Sequence, residues 1–543
     1  MPTITLDRKV FEKLVGKKLA TEQLADRIAM LGTDVAKIDA KEIVVEVFPN
    51  RPDMLSEQGF VRAFAAFIGT RIGLKEYRVN TSNEQVIVDS SVSNVRPYTA
   101  CALVRNLKFT DEKIREIIDI QEKLHVTFGR NRRKAAIGIY PAEKIKFPVY
   151  FKALEPEKIK FQPLESNREM TAMQILREHK SGREYGKLLE GKKKFPIFVD
   201  SSGEILSMPP IINSHSTGKI TKNTQNVFIE CSGFDLETLN IAINIIVSAL
   251  ADMQGKVYSV KVKYGSNNGN RTEITPSMQP RRMKINLSYI NKILGLQLKD
   301  SDVKKFVERM GYGYSGGNVF VPSYRADILH EIDIAEDIAI AYGYENFKPE
   351  VPKIATIAAE SKNAKFTKKV ADILVGLELL EVSNFALISK EDFRKTGIQE
   401  QAIELENALE ERKYLRNSLF PVLFKTLASN VHNKYPQKIF ELGVVFKSGG
   451  EIKEQDNLAV ALTDTQSNFT NVRQILDALF KRLGINYLLK EVENSTFISG
   501  RCGKIIMKGK EVGIIGEVHP QVLRNWKLEV PCAAFELNLD ELI

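Results

Sequence analysis

Cysteine and tryptophan are scarce in this sequence, with four Cys and one Trp among 543 residues. The cysteines stand far apart, at Cys101, Cys231, Cys502 and Cys532, and no Cys-x-x-Cys pair occurs. This spacing is typical of reduced thiols and excludes a disulfide scaffold and a zinc ribbon. The six histidines show no His-Glu-x-x-His spacing, which removes the commonest zinc protease signature.

Long apolar runs are also missing. The longest candidate, LNIAINIIVSAL at 239–250, is too short and too interrupted to span a bilayer, which takes about 20 apolar residues. The N-terminal segment, MPTITLDRKVFEKLVGKKL, has no apolar core of the kind found in a signal peptide. We therefore expect a cytoplasmic protein.

The chain is long and has a net positive charge. At 43% hydrophobic and 27% charged residues, its composition is ordinary for a globular protein and argues against extensive disorder. A chain of 543 residues is too long to fold around a single hydrophobic core, so about three to five domains are expected. The net charge of +10 is common in proteins that meet a polyanion, but charge alone does not identify the partner.

Strand-type and helix-type segments alternate along the chain and predict a multidomain α+β protein. We place an N-terminal domain at 1–85, a second domain at 86–270, a small domain at 275–350 and a last domain at 356–543. The segment 265–282 is rich in Gly, Asn and Pro, which predicts a linker. The last domain contains the strand-type segments KIFELGVVF, NLAVALT, GKIIMKG and EVGIIGEV.

An acidic segment, RADILHEIDIAEDIAIAYGY at 325–344, stands out in this basic chain. At 100° per residue, Asp333, Glu336 and Asp337 share one arc of a helix, and Asp327 is a plausible N-cap. A solvated acidic face is the interpretation that the pattern alone favours. The alternative is a cation site, because the carboxylates repel one another and no neighbouring Lys or Arg offsets them. Oxygen ligands at this spacing suit Mg²⁺, either in a closed cage or in a site completed by another chain.

Seven segments, in order over essentially the whole chain, resemble the β subunits of phenylalanyl-tRNA synthetases of the archaeal/eukaryotic type, which are class II aminoacyl-tRNA synthetases. The segments are PNRPDMLS (49–56), RKAAIGIY (133–140), LSMPPIINSHSTGKITKNTQNVFIECSGFD (206–235), VPSYRADILHEIDIAEDIAIAYGY (321–344), LRNSLFPVLFKTLASN (415–430), KIFELGVVF (438–446) and GEVHPQVL (516–523).

The resemblance implies an α₂β₂ heterotetramer that charges tRNA-Phe, with ATP and phenylalanine bound by the α subunit. It implies an editing domain at 86–270 and a metal-binding domain with a helix-turn-helix-like fold at 275–350. The range 356–543 would be a class II synthetase-like antiparallel sheet domain, catalytically degenerate, that packs on the α subunit. In agreement with lost catalysis, KIFELGVVF has Phe440 before Glu441 and no Arg to stabilise the charge of the phosphates.

The implied editing reaction hydrolyses tyrosine wrongly attached to tRNA-Phe. Phe and Tyr differ by one hydroxyl, and an apolar pocket rejects an added hydroxyl poorly, so a second site has to recognise it. The resemblance places Ser207, Asn213, Glu230 and Ser232 in the editing pocket, with Ser232 in place of the usual Thr. Glu230 would accept a hydrogen bond from the tyrosine hydroxyl or pair with the substrate amine.

The resemblance also implies a Mg²⁺ ion shared with the α subunit and bound through Asp327, Asp333, Glu336 and Asp337.

For Glu230, the structural alternative is a strand-end carboxylate paired with a cation such as Lys219 or Lys222. Those residues belong to the same segment of the chain.

Two other functions stay open. One is an assembly or tRNA-binding subunit whose editing pocket is inactive. The other is a free-standing deacylase, against which the length of the catalytic-like domain argues.

Overall fold

The computed structural model of the protein describes residues 2–265, 271–398, 402–408 and 411–543. The chain folds as two compact units, Met1–Glu350 and Val351–Ile543. Each unit combines helices with sheets, so the predicted multidomain α+β class is confirmed.

A large mixed sheet lies at the centre of the first unit. From one edge to the other its strands are Ile212–Asn213, Ile205–Met208, Phe195–Val199, Val149–Leu154, Gln85–Val88, Lys256–Tyr264, Tyr98–Arg105, Val227–Gly233 and Ala135–Pro141, and Val79–Asn80 and Thr272–Thr275 also pair with Lys256–Tyr264. The strand Thr272–Thr275 falls within the predicted linker at 265–282, so that prediction is wrong there. Residues 266–270 of the same prediction lie outside the described residues.

The strand Val227–Gly233 is buried at every residue because both faces of the sheet are covered. Its Val227, Ile229 and Cys231 share a core with the helix Leu236–Asp252, as the alternation of a strand requires. The Asp235 side chain caps that helix by accepting from the Thr238 N–H at 2.9 Å. The alternate residues, Glu230 among them, lie on the opposite face of the sheet.

The N-terminal part of the first unit is a small antiparallel sheet with helices packed on it. The strands are Thr3–Asp7, Glu42–Glu46 and Asp34–Ile38, and the helices are Arg8–Val15, Thr21–Met30 and Glu57–Phe67. Glu42–Glu46 alternates half-buried and buried residues, as expected from its sequence. Phe11, Phe60 and Phe64 form an aromatic cluster beneath it, with ring centroids 5.4–6.2 Å apart.

The part of the first unit beyond the large sheet is another small sheet with helices. The strands Arg281–Lys284, Asn318–Val321 and Gly313–Ser315 form the sheet, and the helices are Leu287–Leu294, Asp300–Arg309 and Glu331–Tyr342. The last helix begins after His330, which is its N-cap, so the expectation that Asp327 is the N-cap is wrong. A single hydrophobic core runs from Ile4 to Ala341, across all three domain ranges expected in this unit, and those boundaries stay predictions.

Four further α-helices and one short strand pair are also described in the first unit. They are the helices Asp111–Val126, Ala172–Glu178, Lys180–Tyr185 and His215–Gly218 and the strand pair Lys160–Phe161 with Met170–Thr171. Within the described parts of the chain, no helix is long and apolar enough to cross a membrane.

The second unit is built on a mainly antiparallel sheet. Its strands, from edge to edge, are Leu380–Glu381, Gln437–Gly449, Glu451–Thr463, Cys532–Asn538, Lys510–Val518, Phe497–Met507 and Leu488–Glu491. A smaller sheet contains Leu387–Ile388, Tyr414–Leu415 and Ile403–Glu404. The helices are Lys362–Gly376, Lys390–Thr396, Phe420–Ser429, Phe469–Leu483 and Pro520–Trp526. The four strand-type segments expected near the C-terminus all lie in the larger sheet.

Candidate functional site

A small cavity lies at the edge of the large sheet formed by the strand Ala135–Pro141. Its walls come from the strands Val227–Gly233 and Ala135–Pro141, the loop after Ile205–Met208 and the helix Asp111–Val126. The cavity measures about 90 Å³. Three of the four side chains expected in an editing pocket line it together: Ser207, Asn213 and Glu230.

Glu230 is the buried acid of this cavity, with 1% of its surface exposed. It lies on the strand Val227–Gly233, opposite Gly138 on one neighbouring strand and Cys101 on the other. Burial raises its pKa to about 8, while the hydrogen bond from Tyr140 and the charge of Arg96 act in the opposite direction. Among the described residues, Oε2 of Glu230 makes no hydrogen bond of acceptable geometry. The carboxyl is therefore neutral at pH 7 and has one oxygen to offer.

Tyr140 supplies the partner of the other oxygen. Its hydroxyl donates to Oε1 of Glu230 at 3.1 Å and lies 3.4 Å from Oδ1 of Asn213. Gly138 leaves room for this pair, because a Cβ there would overlap the Tyr140 hydroxyl and come within 2.5 Å of Oε1 of Glu230. Neither Tyr140 nor Gly138 was expected at the site, although both lie in the segment RKAAIGIY. Strand alternation was the available signal, since positions 136, 138 and 140 share one face.

Arg132 fixes the loop that covers the cavity. Its guanidinium donates to the carbonyl oxygens of Pro210 at 3.2 Å and Ile211 at 2.9 Å, and to both carboxylate oxygens of Glu122 at 3.1 Å. His125, which is 2% exposed, accepts from the Ile137 N–H through Nε2 at 2.8 Å. Its Nδ1 therefore carries the proton and donates to Glu122.

Ser232 is not part of the cavity lining. Its Oγ accepts from Nε of Arg96 at 3.1 Å, and its carbonyl oxygen accepts from the same guanidinium at 2.5 Å. The alternative role for Glu230, a strand-end partner of a lysine, does not match its surroundings. Lys219 is exposed, and Nζ of Lys222 lies 2.6 Å from a carboxylate oxygen of Asp111.

The acidic segment contains its own cation. The Arg325 guanidinium pairs with both oxygens of Asp327, at 2.8 and 2.7 Å, and with Oδ2 of Asp337 at 2.8 Å. The Tyr312 hydroxyl donates to the same oxygen of Asp337. The expectation that no neighbouring Lys or Arg offsets these carboxylates is therefore wrong.

The other two acids face different surroundings. Oδ2 of Asp333 accepts from the N–H groups of Leu329 and His330, both at 2.7 Å, which caps the start of the helix. Glu336 is exposed. In the parts of the chain that the structure describes, no three His, Cys, Asp or Glu side chains are placed to hold a metal. The four carboxylates do not fit one Mg²⁺ cage in this chain, and the Mg²⁺ site stays a prediction.

Three family models match successive parts of the chain. The model of the "B3/4 domain" family matches residues 79–244, "tRNA synthetase B5 domain" matches 283–344, and "Phenylalanyl tRNA synthetase beta chain CLM domain" matches 348–539. The phenylalanine–tRNA ligase beta subunit of Pyrococcus abyssi is 41% identical, with 100% of both chains covered. The subunit from Archaeoglobus fulgidus is 38% identical, over 99% of this chain and 98% of the relative.

The chain belongs to the phenylalanine–tRNA ligase beta subunit family. It is thus a member of a family of ligase components, as the sequence segments indicated. A crystal structure of an N-terminal fragment of the phenylalanyl-tRNA synthetase beta subunit from Pyrococcus horikoshii is 38% identical, with a TM-score of 0.59. It covers 63% of this chain, and 99% of the fragment is matched.

Proposed function

We propose that this beta subunit hydrolyses tyrosine from mischarged tRNA-Phe in the cavity around Glu230. We further infer that it supports charging of tRNA-Phe by an α subunit that binds ATP and phenylalanine, in an α₂β₂ complex in the cytoplasm. The observation that carries the editing proposal is a buried, neutral carboxyl group with one oxygen unoccupied, in a small cavity that Ser207 and Asn213 also line.

Recognition of tyrosine follows from the protonation state of Glu230. Because Oε1 accepts from Tyr140, the proton of the neutral carboxyl belongs on Oε2, the oxygen that lacks a partner. A neutral carboxyl can donate to a phenol oxygen and also accept from a phenol hydroxyl. It cannot balance the charge of an ammonium group. Of the two roles expected for Glu230, the contact with the tyrosine hydroxyl is therefore the better supported.

Discrimination against phenylalanine follows from the same contact. A phenylalanine ring in the cavity would leave Oε2 of the buried Glu230 carboxyl without a hydrogen-bond partner, at a cost of about 1–3 kcal/mol. A site built to hydrogen-bond a hydroxyl rejects the analogue that lacks it far more strongly than an apolar pocket rejects an added hydroxyl. Correctly charged Phe-tRNA-Phe would therefore be spared.

Hydrolysis needs a water molecule that attacks the ester carbonyl carbon. The new C–O bond replaces the bond to the ribose oxygen, which leaves with a proton, and the products are tyrosine and tRNA-Phe. The side chains of Ser207 and Asn213 line the cavity beside Glu230 and offer hydroxyl and amide groups to orient that water. In the described residues, Oγ of Ser207 is buried without a hydrogen bond of acceptable geometry, so it is available for this purpose.

For the second unit we propose a degenerate class II synthetase-like domain that packs on the α subunit. Glu441 lies in the segment KIFELGVVF, which contains no Arg of its own. It accepts from the Arg416 guanidinium at 2.6 Å and from the Asn384 amide at 2.7 Å. Glu441 and Arg416 are 1% and 4% exposed, respectively. A buried pair of this kind supports a structural role, because neither charge is left to act on a phosphate.

The size of the cavity favours a second candidate, an assembly or tRNA-binding subunit with an inactive pocket. Ligand pockets usually measure about 300–1,000 Å³, well above the 90 Å³ seen here. The loop at Pro209–Ile211 would have to move before a tyrosine side chain could enter. Hydrolysis of Tyr-tRNA-Phe by the purified complex separates the two candidates, since only the editing subunit releases tyrosine.

A further inference from the structure

Beside the cavity lies a strained basic loop, RNRRK at Arg130–Lys134. Its first three residues, Arg130, Asn131 and Arg132, have φ angles of 50°, 52° and 64°. Each is a non-glycine residue in the left-handed region, which costs on the order of 1 kcal/mol or more. Three in succession are unusual, because glycine would adopt this conformation without the cost.

Main-chain hydrogen bonds hold the strained conformation. The Asn131 N–H donates to the Val126 carbonyl at 3.2 Å, and the Arg132 N–H donates to the His125 carbonyl at 3.0 Å. The loop is closed by a bond of 2.9 Å from the Lys134 N–H to the Gly129 carbonyl. These main-chain bonds hold the exposed loop in one conformation.

The basic side chains of the loop fall into two groups, one turned towards the cavity and one exposed to solvent. Arg132 turns inward to the cavity loop and to Glu122, as described above. Arg130, Arg133 and Lys134 are exposed, and within the described residues none of them lies within 4.0 Å of a carboxylate oxygen, although Lys134 interacts electrostatically with Asp235. Arg132 and Ala136 both line the cavity, so Arg133 and Lys134 lie on the chain between two lining residues. Three exposed cations therefore lie within two positions of a residue that lines the cavity, and we call this position the rim of the cavity.

We propose that Arg130, Arg133 and Lys134 bind the phosphate backbone of the RNA whose 3′ end enters the cavity. This inference rests on the proposed editing function. Side chains at the rim would contact phosphates and not bases, so they would position the RNA without reading its sequence. Arg132 belongs to the same loop and donates to the carbonyl oxygens of Pro210 and Ile211, so it connects the proposed RNA-binding residues to the cavity lining.

The test is a triple variant, Arg130→Ala, Arg133→Ala and Lys134→Ala, in the full-length chain within its complex. A matched control removes three exposed cations from the N-terminal region, Lys9→Ala, Lys17→Ala and Lys18→Ala. In hydrolysis of Tyr-tRNA-Phe, we expect the loop variant to raise KM about tenfold and to leave kcat within about twofold. The plot of log(1/KM) against log[salt] should flatten by about 2, because each single-strand phosphate contact contributes roughly 0.7.

A variant with Arg130→Lys and Arg133→Lys keeps the charges and should restore the wild-type KM. The proposal is overturned if the loop variant has the KM and the salt slope of the control, or if kcat falls while KM stays unchanged. If wild-type protein releases no tyrosine, the editing function fails by itself. Binding of a tRNA-Phe transcript to the full chain then decides the loop: a salt slope lower than that of the control supports it, and equal slopes refute it.

Discussion

The Tyr140 hydroxyl donates to Oε1 of Glu230 at 3.1 Å, between two neighbouring strands of the large sheet. This contact occupies one oxygen of a buried carboxyl and leaves the other for a substrate. Because burial raises the pKa of Glu230 to about 8, the group carries a proton at physiological pH. The proposed recognition of tyrosine depends on that proton, and so does the stability that this buried group contributes.

Glu230→Gln should stabilise the protein in alkaline solution. The folded-state pKa lies above the ordinary value of 4.5, so stability falls as pH rises from about 4.5 to 8, where only the unfolded state releases the proton. At pH 8.5 the variant should be more stable by on the order of 4 kcal/mol, and at pH 5 the two proteins should be similar. Thermal unfolding at both pH values measures the difference.

Glu155→Gln is the control for this prediction. The Glu155 carboxyl is exposed, and its hydrogen bond with Lys158 lowers its pKa, so its removal should not stabilise the protein at high pH. An advantage of Glu230→Gln that is equal at pH 5 and pH 8.5 would show that Glu230 is charged in the folded state.

Arg325→Met should destabilise the first unit severely. The substitution leaves the carboxylates of Asp327 and Asp337 without their shared cation, and breaking a buried pair costs about 3–5 kcal/mol. Adding Asp327→Asn and Asp337→Asn should recover part of the loss. Arg168→Met, which removes an exposed partner of Glu178, should leave the melting temperature nearly unchanged. Equal effects of the two Met variants would contradict the buried network.

Magnesium removal should leave the melting temperature of the isolated chain unchanged, because Arg325 already neutralises two of the four acids predicted to bind the ion. The measurement is thermal unfolding in excess EDTA and in millimolar MgCl₂. A rise in melting temperature with Mg²⁺ that disappears in Asp333→Asn would instead support the ion implied by the family resemblance.

Glu57→Gln should also change the pH dependence of stability. Burial and the nearby carboxylates of Glu116 and Asp7 raise the pKa of Glu57 to about 7. Stability contributed by this site therefore falls as pH rises from about 4.5 to 7, and the variant should melt higher than wild type at pH 8 but not at pH 4.5. Glu112→Gln, at a carboxyl whose pKa is lowered, should show no such gain. A melting curve of Glu57→Gln that tracks wild type at every pH would refute the prediction.

Local patterns predicted most of the secondary structure and part of the site. The strand-type segments KIFELGVVF, NLAVALT, GKIIMKG and EVGIIGEV correspond to strands of the larger sheet of the second unit. The pair of Tyr140 and Glu230 is separated by 90 residues and depends on the strand order of the large sheet. One sequence does not encode that order in any local pattern, so the carboxyl was expected without its partner.

The acidic segment shows a different limit. Arg325 was visible in the sequence, but a helical wheel covers only the helix, which begins at Glu331. The chain between Arg325 and Glu331 folds back and brings the guanidinium to Asp337, twelve positions away. The carboxylates were therefore visible in the sequence pattern, whereas the arginine that pairs with two of them is brought to them by the fold. The Mg²⁺ site stays a prediction.

The central claim is tested most directly by hydrolysis of Tyr-tRNA-Phe by the purified complex, with wild type beside Glu230→Ala and Ser207→Ala. Both side chains lie inside the cavity and are 1% exposed, so folding of each variant is first checked by thermal unfolding. We expect wild type to release tyrosine, Glu230→Ala to lose about tenfold or more of kcat/KM, and charging of tRNA-Phe with phenylalanine to be unchanged. Folded variants that deacylate Tyr-tRNA-Phe as fast as wild type would contradict the assignment of this cavity as the editing site.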